Sequence, residues 1–99
     1  MVKVIWTDNA IQDLNDIGEY ISKDSLRYAE LTVLQLFESV DILQKYTNFG
    51  TIVQEFQSGK FRQIIKGNYR IVYQLINDDA IHILTVHNCA RLISNTLTK

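Results

Sequence analysis

The side chains best suited to chemistry in this 99-residue chain are the cations and imidazoles of its second half. Arg70 and His87 fall in two runs rich in β-branched and aromatic residues, Tyr69–Ile76 and Ile81–Asn88. Gly67-Asn68 and Asp78-Asp79 read as two-residue hairpin loops before and after the first run. With those loops, Ile65 faces Arg70, Val72 faces Thr85, Gln74 faces Ile83 and Arg70 faces His87. Directly opposed residues share a face of the sheet. Arg70 and His87 therefore lie side by side near one end of that face, and Arg91 follows just past the same strand. A guanidinium there offers a planar fork to an anion or a partner's carboxylate; the plainer alternative is a solvated charge of modest worth. An imidazole titrates at about 6.5 and suits acid–base work. Phosphodiester cleavage needs both a base and an acid, however, and the register brings no second titratable group to that end of the face.

The other candidates are weaker. Arg62 and His82 fall on the face expected to pack on helices. Arg62 reads as half-buried and paired with a carboxylate such as Glu55, and His82 as structural. Lys60 and Lys66 flank strands and read as ordinary solvated lysines. Trp6, Tyr69 and Tyr73 read as core aromatics with a polar handle. Cys89 has no base assigned to it and carries no expected chemistry. Two histidines and one cysteine do not make a closed zinc site, and no motif calls for a cofactor.

Elements of ordinary kind must position these residues. Val2–Thr7 reads as a strand, and Thr7-Asp8-Asn9 offers N-caps for a helix with Ala10, Leu14, Ile17 and Ile21 on one stripe. Ser22-Lys23-Asp24-Ser25 breaks it and caps a second helix, whose face of Ala29, Val33, Leu36, Phe37, Val40 and Leu43 runs to about Tyr46. Ile52–Phe56 and Phe61–Lys66 complete the strands, and Ala90–Lys99 is left as a short helix or frayed end. The expected packed face carries Ile64, Tyr69, Ile71, Tyr73, Leu75, Leu84 and Val86. The expected class is α+β, a single domain over residues 1–99: an N-terminal strand and a helical hairpin on an antiparallel sheet.

Composition narrows the partners. The chain is 46% hydrophobic and 21% charged, ordinary for a globular domain, with net charge −1. Residues 1–50 sum to −4 and residues 51–99 to +3, so an anionic partner should meet the second half. No apolar run reaches the roughly 20 residues of a membrane span. The N-terminus is too soon polar for a signal peptide. One cysteine forms no internal disulfide, which points to a reducing cytoplasm.

Val4-Ile5-Trp6-Thr7 with Ala10 and Leu14, then Gly67-Asn68-Tyr69-Arg70-Ile71-Val72-Tyr73 behind Arg62, then Val86-His87 with Arg91, resembles the RelE/ParE superfamily of type II toxins. The resemblance runs from Lys3 to about Arg91. Thr47 and Thr51 depart from a proline and an arginine common in the family, at peripheral positions. The resemblance implies a cytoplasmic growth-inhibiting toxin, held in a hetero-oligomer by a cognate antitoxin lying across the helical hairpin and the open sheet face. Ribonuclease members use the arginine of the Arg70 strand on the scissile phosphate, with further lysines, arginines and a C-terminal tyrosine. Here the chain after Val86-His87 has one arginine and no tyrosine. That set is incomplete, and Tyr69-Arg70-Ile71-Val72-Tyr73 with Val86-His87 and Arg91 looks more like the ParE, or plasmid-stabilisation, branch, whose members bind DNA gyrase and trap its cleaved complex without chemistry of their own. Arg70, His87, Arg91, Arg62 and Lys60 are then target- or antitoxin-binding residues. The alternative is a ribosome-dependent mRNA endoribonuclease using Arg70, His87, Arg91 and Lys60, and the third reading is a degenerate toxin that only binds its antitoxin.

Overall fold

The computed structural model describes residues 1–53 and 60–89. The chain runs β1 (Lys3–Trp6), α1 (Asp8–Ser22), α2 (Leu26–Glu38), a 3-10 turn (Asp41–Gln44), β2 (Thr51–Ile52), β3 (Phe61–Lys66), β4 (Tyr69–Asn77) and β5 (Ala80–Asn88). The strands form one sheet in the order β1-β5-β4-β3-β2. The two helices pack on one of its faces, giving an α+β domain. The far end of the expected Ile52–Phe56 strand, Glu55, and the whole Ala90–Lys99 segment with Arg91 lie outside the described residues.

Local chemistry explains the helix starts. Thr7 Oγ1 accepts from Ala10 N at 3.3 Å, and Ser25 Oγ accepts from Tyr28 N at 3.1 Å, so each hydroxyl satisfies an orphan donor of the first turn. The second helix ends at Glu38, well before the expected Tyr46. Ser39 Oγ donates to Leu36 O at 2.7 Å, competing with the helical ladder, and the chain tightens into the 3-10 turn. Val40 and Leu43 still reach the core from that turn. Phe37, expected in the core, is half exposed and stacks on Trp6 with ring centroids 5.4 Å apart. Thr32 is buried on the helix instead.

The sheet is mixed: β1 runs parallel to β5, while every other pairing is antiparallel. The Gly67-Asn68 loop sits where expected, with Lys66 opposite Tyr69 and Gly67 at φ +59°, a left-handed backbone that glycine adopts without penalty. Asp78-Asp79 is also the loop between Asn77 and Ala80. Between those correct ends the register differs. Ile76 is an extra residue on β4 and Leu84 an extra residue on β5, so Gln74 pairs with His82 instead of Ile83, and Tyr73 pairs with Ile83. The two bulges cancel, which leaves Val72 opposite Thr85 and Arg70 opposite His87. Their effect is to turn Ile81, Ile83 and Val86 all toward the helices despite their uneven spacing. His82, expected on the packed face, therefore moves to the other one, half-buried. Leu84 is the bulged residue, half-buried rather than a core member, and Leu75 is exposed at the end of its strand.

The core joins Ala10, Leu14, Leu36, Val40 and Leu43 to Ile64, Ile71, Tyr73, Ile81, Ile83 and Val86. The opposite face is not uniformly open, because Val72 at its centre is only 3% exposed. Beyond Trp6 the edge of β5 would be bare. Residues at the start of α1 cover it: Thr7 Oγ1 donates to Ile83 O at 2.7 Å and Asn9 Nδ2 donates to Leu84 O at 2.9 Å. Asp13 Oδ2 accepts from Thr85 Oγ1 at 2.7 Å and from Val86 N at 2.9 Å. These bonds satisfy an edge that would otherwise recruit another strand.

Candidate functional site

Arg70 and His87 are register partners, both half-buried, at the end of the β4–β5 hairpin near Gly67-Asn68. His87 also lines an open cleft of about 370 Å³ between α1 and the ends of β4 and β5. Asp13, Asp16 and Tyr20 come to its wall from α1, and Tyr69 from the start of β4. The structure thus gathers titratable groups at the end of the hairpin where strand register alone brings none. Asp13, Asp16 and Tyr20 come from a helix, and their signal in the sequence is only that of polar residues on the outer side of an amphipathic stripe. Two of them are already anchored: Asp13 by the edge of β5, and Asp16 by Gln12 Nε2, which donates to its Oδ1 at 2.9 Å. Burial lifts the Tyr69 phenol above its ordinary value of 10.0, and the neighbouring phenols of Tyr28 and Tyr20 push the same way. Tyr69 accordingly stays neutral near pH 7.

Arg62 lies elsewhere, opposite Tyr73 on β3. Its Nη1 donates to Gly50 O at 2.8 Å, while Glu55, the carboxylate expected beside it, lies outside the described residues. Tyr73, wholly buried, completes this clasp: its hydroxyl donates to Thr47 O at 2.8 Å and accepts from Gly50 N at 3.0 Å. Burial raises the Tyr73 phenol above 10.0, opposed by the Gly50 hydrogen bond and by the Arg62 charge. The arrangement fastens the turn before β2 to the sheet. Lys60 is exposed just ahead of β3, and Cys89 is exposed just after β5. Arg91 belongs to the residues outside the description. Among the described residues, no group of three or more His, Cys, Asp or Glu side chains is placed to hold a metal ion. No helix among them is long and apolar enough to cross a membrane.

A second concavity follows the helical hairpin. It is a shallow groove of about 540 Å³ with an apolar lining that includes Leu14, Leu26, Ala29, Val33, Leu34 and Phe37, rimmed by Glu19 and Glu30. Leu26, Leu34 and Phe37 are each at least half exposed there. Exposed apolar surface of this kind marks a binding face.

Comparison with known proteins agrees with the architecture. Toxin RelE2 of Caulobacter vibrioides is 27% identical over 92 residues, covering 93% of this chain and all of that protein. The solved structure of a chromosomal ParDE toxin–antitoxin system from P. aeruginosa superposes with a TM-score of 0.73 at 22% identity, covering 89% of this chain and 96% of that one. The RelBE2 toxin–antitoxin complex from Mycobacterium tuberculosis gives a TM-score of 0.57 at 21% identity, covering 89% of this chain and 93% of that one. Residues 4–93, nearly the whole chain, match the family model described as the ParE toxin of the type II toxin–antitoxin system parDE. With a match of that extent, and with the helical hairpin and sheet in place, the chain belongs to the ParE toxin family of the RelE/ParE superfamily.

Proposed function

We propose that this toxin acts by binding DNA gyrase stoichiometrically in the cytoplasm, without chemistry of its own, and that a cognate antitoxin neutralises it. The observation that carries this reading is the ParE family match over residues 4–93, in a chain with no tyrosine after Val86-His87. The near-neutral net charge of −1 fits a protein target better than ribosomal RNA, whose binding draws heavily on basic surface. The apolar groove along the hairpin supports an antitoxin that folds there as an amphipathic segment and reaches the outer face of the sheet. Arg70 and Arg91 are its expected acidic-residue contacts, with Arg62 and Lys60 as secondary ones. A specific observation favours the second reading, a ribosome-dependent endoribonuclease: His87 shares a cleft with Tyr69, Asp13 and Asp16, and the relative in Caulobacter vibrioides is named RelE2.

Expression without the antitoxin separates the two. Induction of the DNA-damage response with intact transcripts supports the gyrase reading, and fragmented mRNA supports the enzyme. His87→Gln sharpens the result. Loss of a general base costs about 10²–10⁴-fold in turnover, whereas loss of one binding hydrogen bond costs about 1 kcal/mol, under tenfold in affinity. The variant therefore stays toxic at high expression. A folded, antitoxin-bound but inert His87→Gln chain would transfer the function to the ribonuclease.

A further inference from the structure

The second helix is apolar on two sides. Its inward side buries Ala29, Thr32 and Leu36. Arg27, Leu31, Leu34 and Glu38 follow one another at steps of four, three and four residues. At 3.6 residues per turn they fall in one line along α2, opposite the inward side. All four are exposed, Leu31 by 47% and Leu34 by 51%. Leu31 belongs neither to the core nor to the lining of the hairpin groove, and Leu34 reaches only the groove. A helix with apolar residues on opposite sides is normally covered on both. The outward line also has an internal symmetry. Its two leucines lie equally far from its middle, and so do the base and the acid at its ends. A second copy turned end for end sets the partner's Glu38 against Arg27 and the partner's Leu34 against Leu31. The two-fold axis then repeats both pairs. A copy laid parallel would instead set base on base and acid on acid, which is repulsive.

We infer that the outward line of α2 is a self-recognition surface, on which two copies of this chain pair as an antiparallel, two-fold dimer. Such a contact uses the same patch on both copies and closes at two. Its strength is limited. A 13-residue helix offers less area than the roughly 800 Å² per partner of a standard interface. Residues 1–50 also sum to −4 in each copy, and the two Arg27–Glu38 bridges offset only part of that repulsion. The dissociation constant is therefore on the order of 100 µM. Because Leu34 also lines the hairpin groove, the second copy and any segment seated in that groove compete for it.

The test is sedimentation equilibrium of the purified, intact chain at pH 7, from about 1 µM to about 500 µM. A reversible rise from the 11.5 kDa monomer toward twice that mass, and no further, is expected. Leu31→Gln with Leu34→Gln should leave a monomer throughout. Arg27→Glu places like charges at both ends of the contact and should weaken pairing about tenfold. Adding Glu38→Arg to Arg27→Glu exchanges the two charges and should restore it. All four positions are exposed, and an acid in the first turn with a base in the last suits the helix dipole, so the variants keep the fold. Circular dichroism checks that they do. A monomer at every concentration, growth beyond two copies, pairing indifferent to the leucine changes, or no recovery in the charge exchange would overturn the inference.

Discussion

Replacing Tyr73 with Phe isolates a single oxygen in the clasp that holds the turn before β2. The ring stays, so the apolar packing of a wholly buried side chain is preserved. What disappears is the hydroxyl that donates to Thr47 O at 2.8 Å and accepts from Gly50 N at 3.0 Å. Gly50 is buried, so its N–H loses its partner where water cannot readily replace it. A buried polar group left unsatisfied costs about 1–3 kcal/mol. The Thr47 carbonyl is partly buried and adds the lower end of that range. The expected loss is about 2–4 kcal/mol, a large share of a small domain's stability. At an unfolding entropy of about 2 cal/mol/K per residue, this lowers Tm by roughly 10–20 °C. Urea unfolding at pH 7, followed by Trp6 fluorescence and far-ultraviolet circular dichroism, measures it directly. The midpoint should fall while the slope of the transition is unchanged. Tyr46→Phe, at an exposed tyrosine, is the control and should lie within about 0.5 kcal/mol of the parent. If Tyr73→Phe matched that control, the clasp would contribute nothing and the argument would fail.

The remaining expectations concern the same turn and one other. Because burial holds the Tyr73 and Tyr69 phenols above 10.0 in the folded chain, their contribution to stability is complete below about pH 10 and is lost as pH climbs through the folded values. Unfolding free energy should therefore drop above pH 10, less steeply in Tyr73→Phe, and a flat profile would contradict the raised values. Gly50→Ala places a Cβ 2.5 Å from the Gln63 backbone oxygen and 2.8 Å from Tyr73 Cε1, so about 1–3 kcal/mol or more should be lost in the same urea assay. Gly67→Ala meets nothing within 4 Å but keeps φ at +59°, so only the left-handed backbone is penalised, by about 1–2 kcal/mol. Gly67→Asn should recover part of that loss.

The two capping segments, Thr7-Asp8-Asn9 and Ser22-Lys23-Asp24-Ser25, the Gly67-Asn68 loop and the Arg70–His87 pairing were legible because each is set by residues a few positions apart or by the loops themselves. The paired bulges at Ile76 and Leu84 were not. Both hairpin ends obey simple register, and an alternation pattern carries no mark of two displacements that cancel between them. His82 changed faces for that reason. The clasp of Tyr73 with Thr47 and Gly50 was hidden for a different one: its partners are 26 and 23 positions away, and only the packed turn brings them within reach. The acidic side of the cleft was hidden likewise, because Asp13 and Asp16 are indistinguishable in sequence from solvated residues of an early helical turn.

The parallel pairing of β1 with β5 bears on how the toxin is made. Lys3 pairs with Ala80 and Trp6 with Ile83, so the first strand to be synthesised waits for the last. At about 5–20 residues per second, the 77 residues from Lys3 to Ala80 take roughly 4–15 s to translate. During that interval the helical hairpin can form, but Ile81, Ile83 and Val86, three core members, do not yet exist. The nascent chain thus presents the apolar hairpin before it presents a finished sheet. The core closes only once β5 has been made, which leaves a cellular partner an interval of seconds in which the hairpin exists without it.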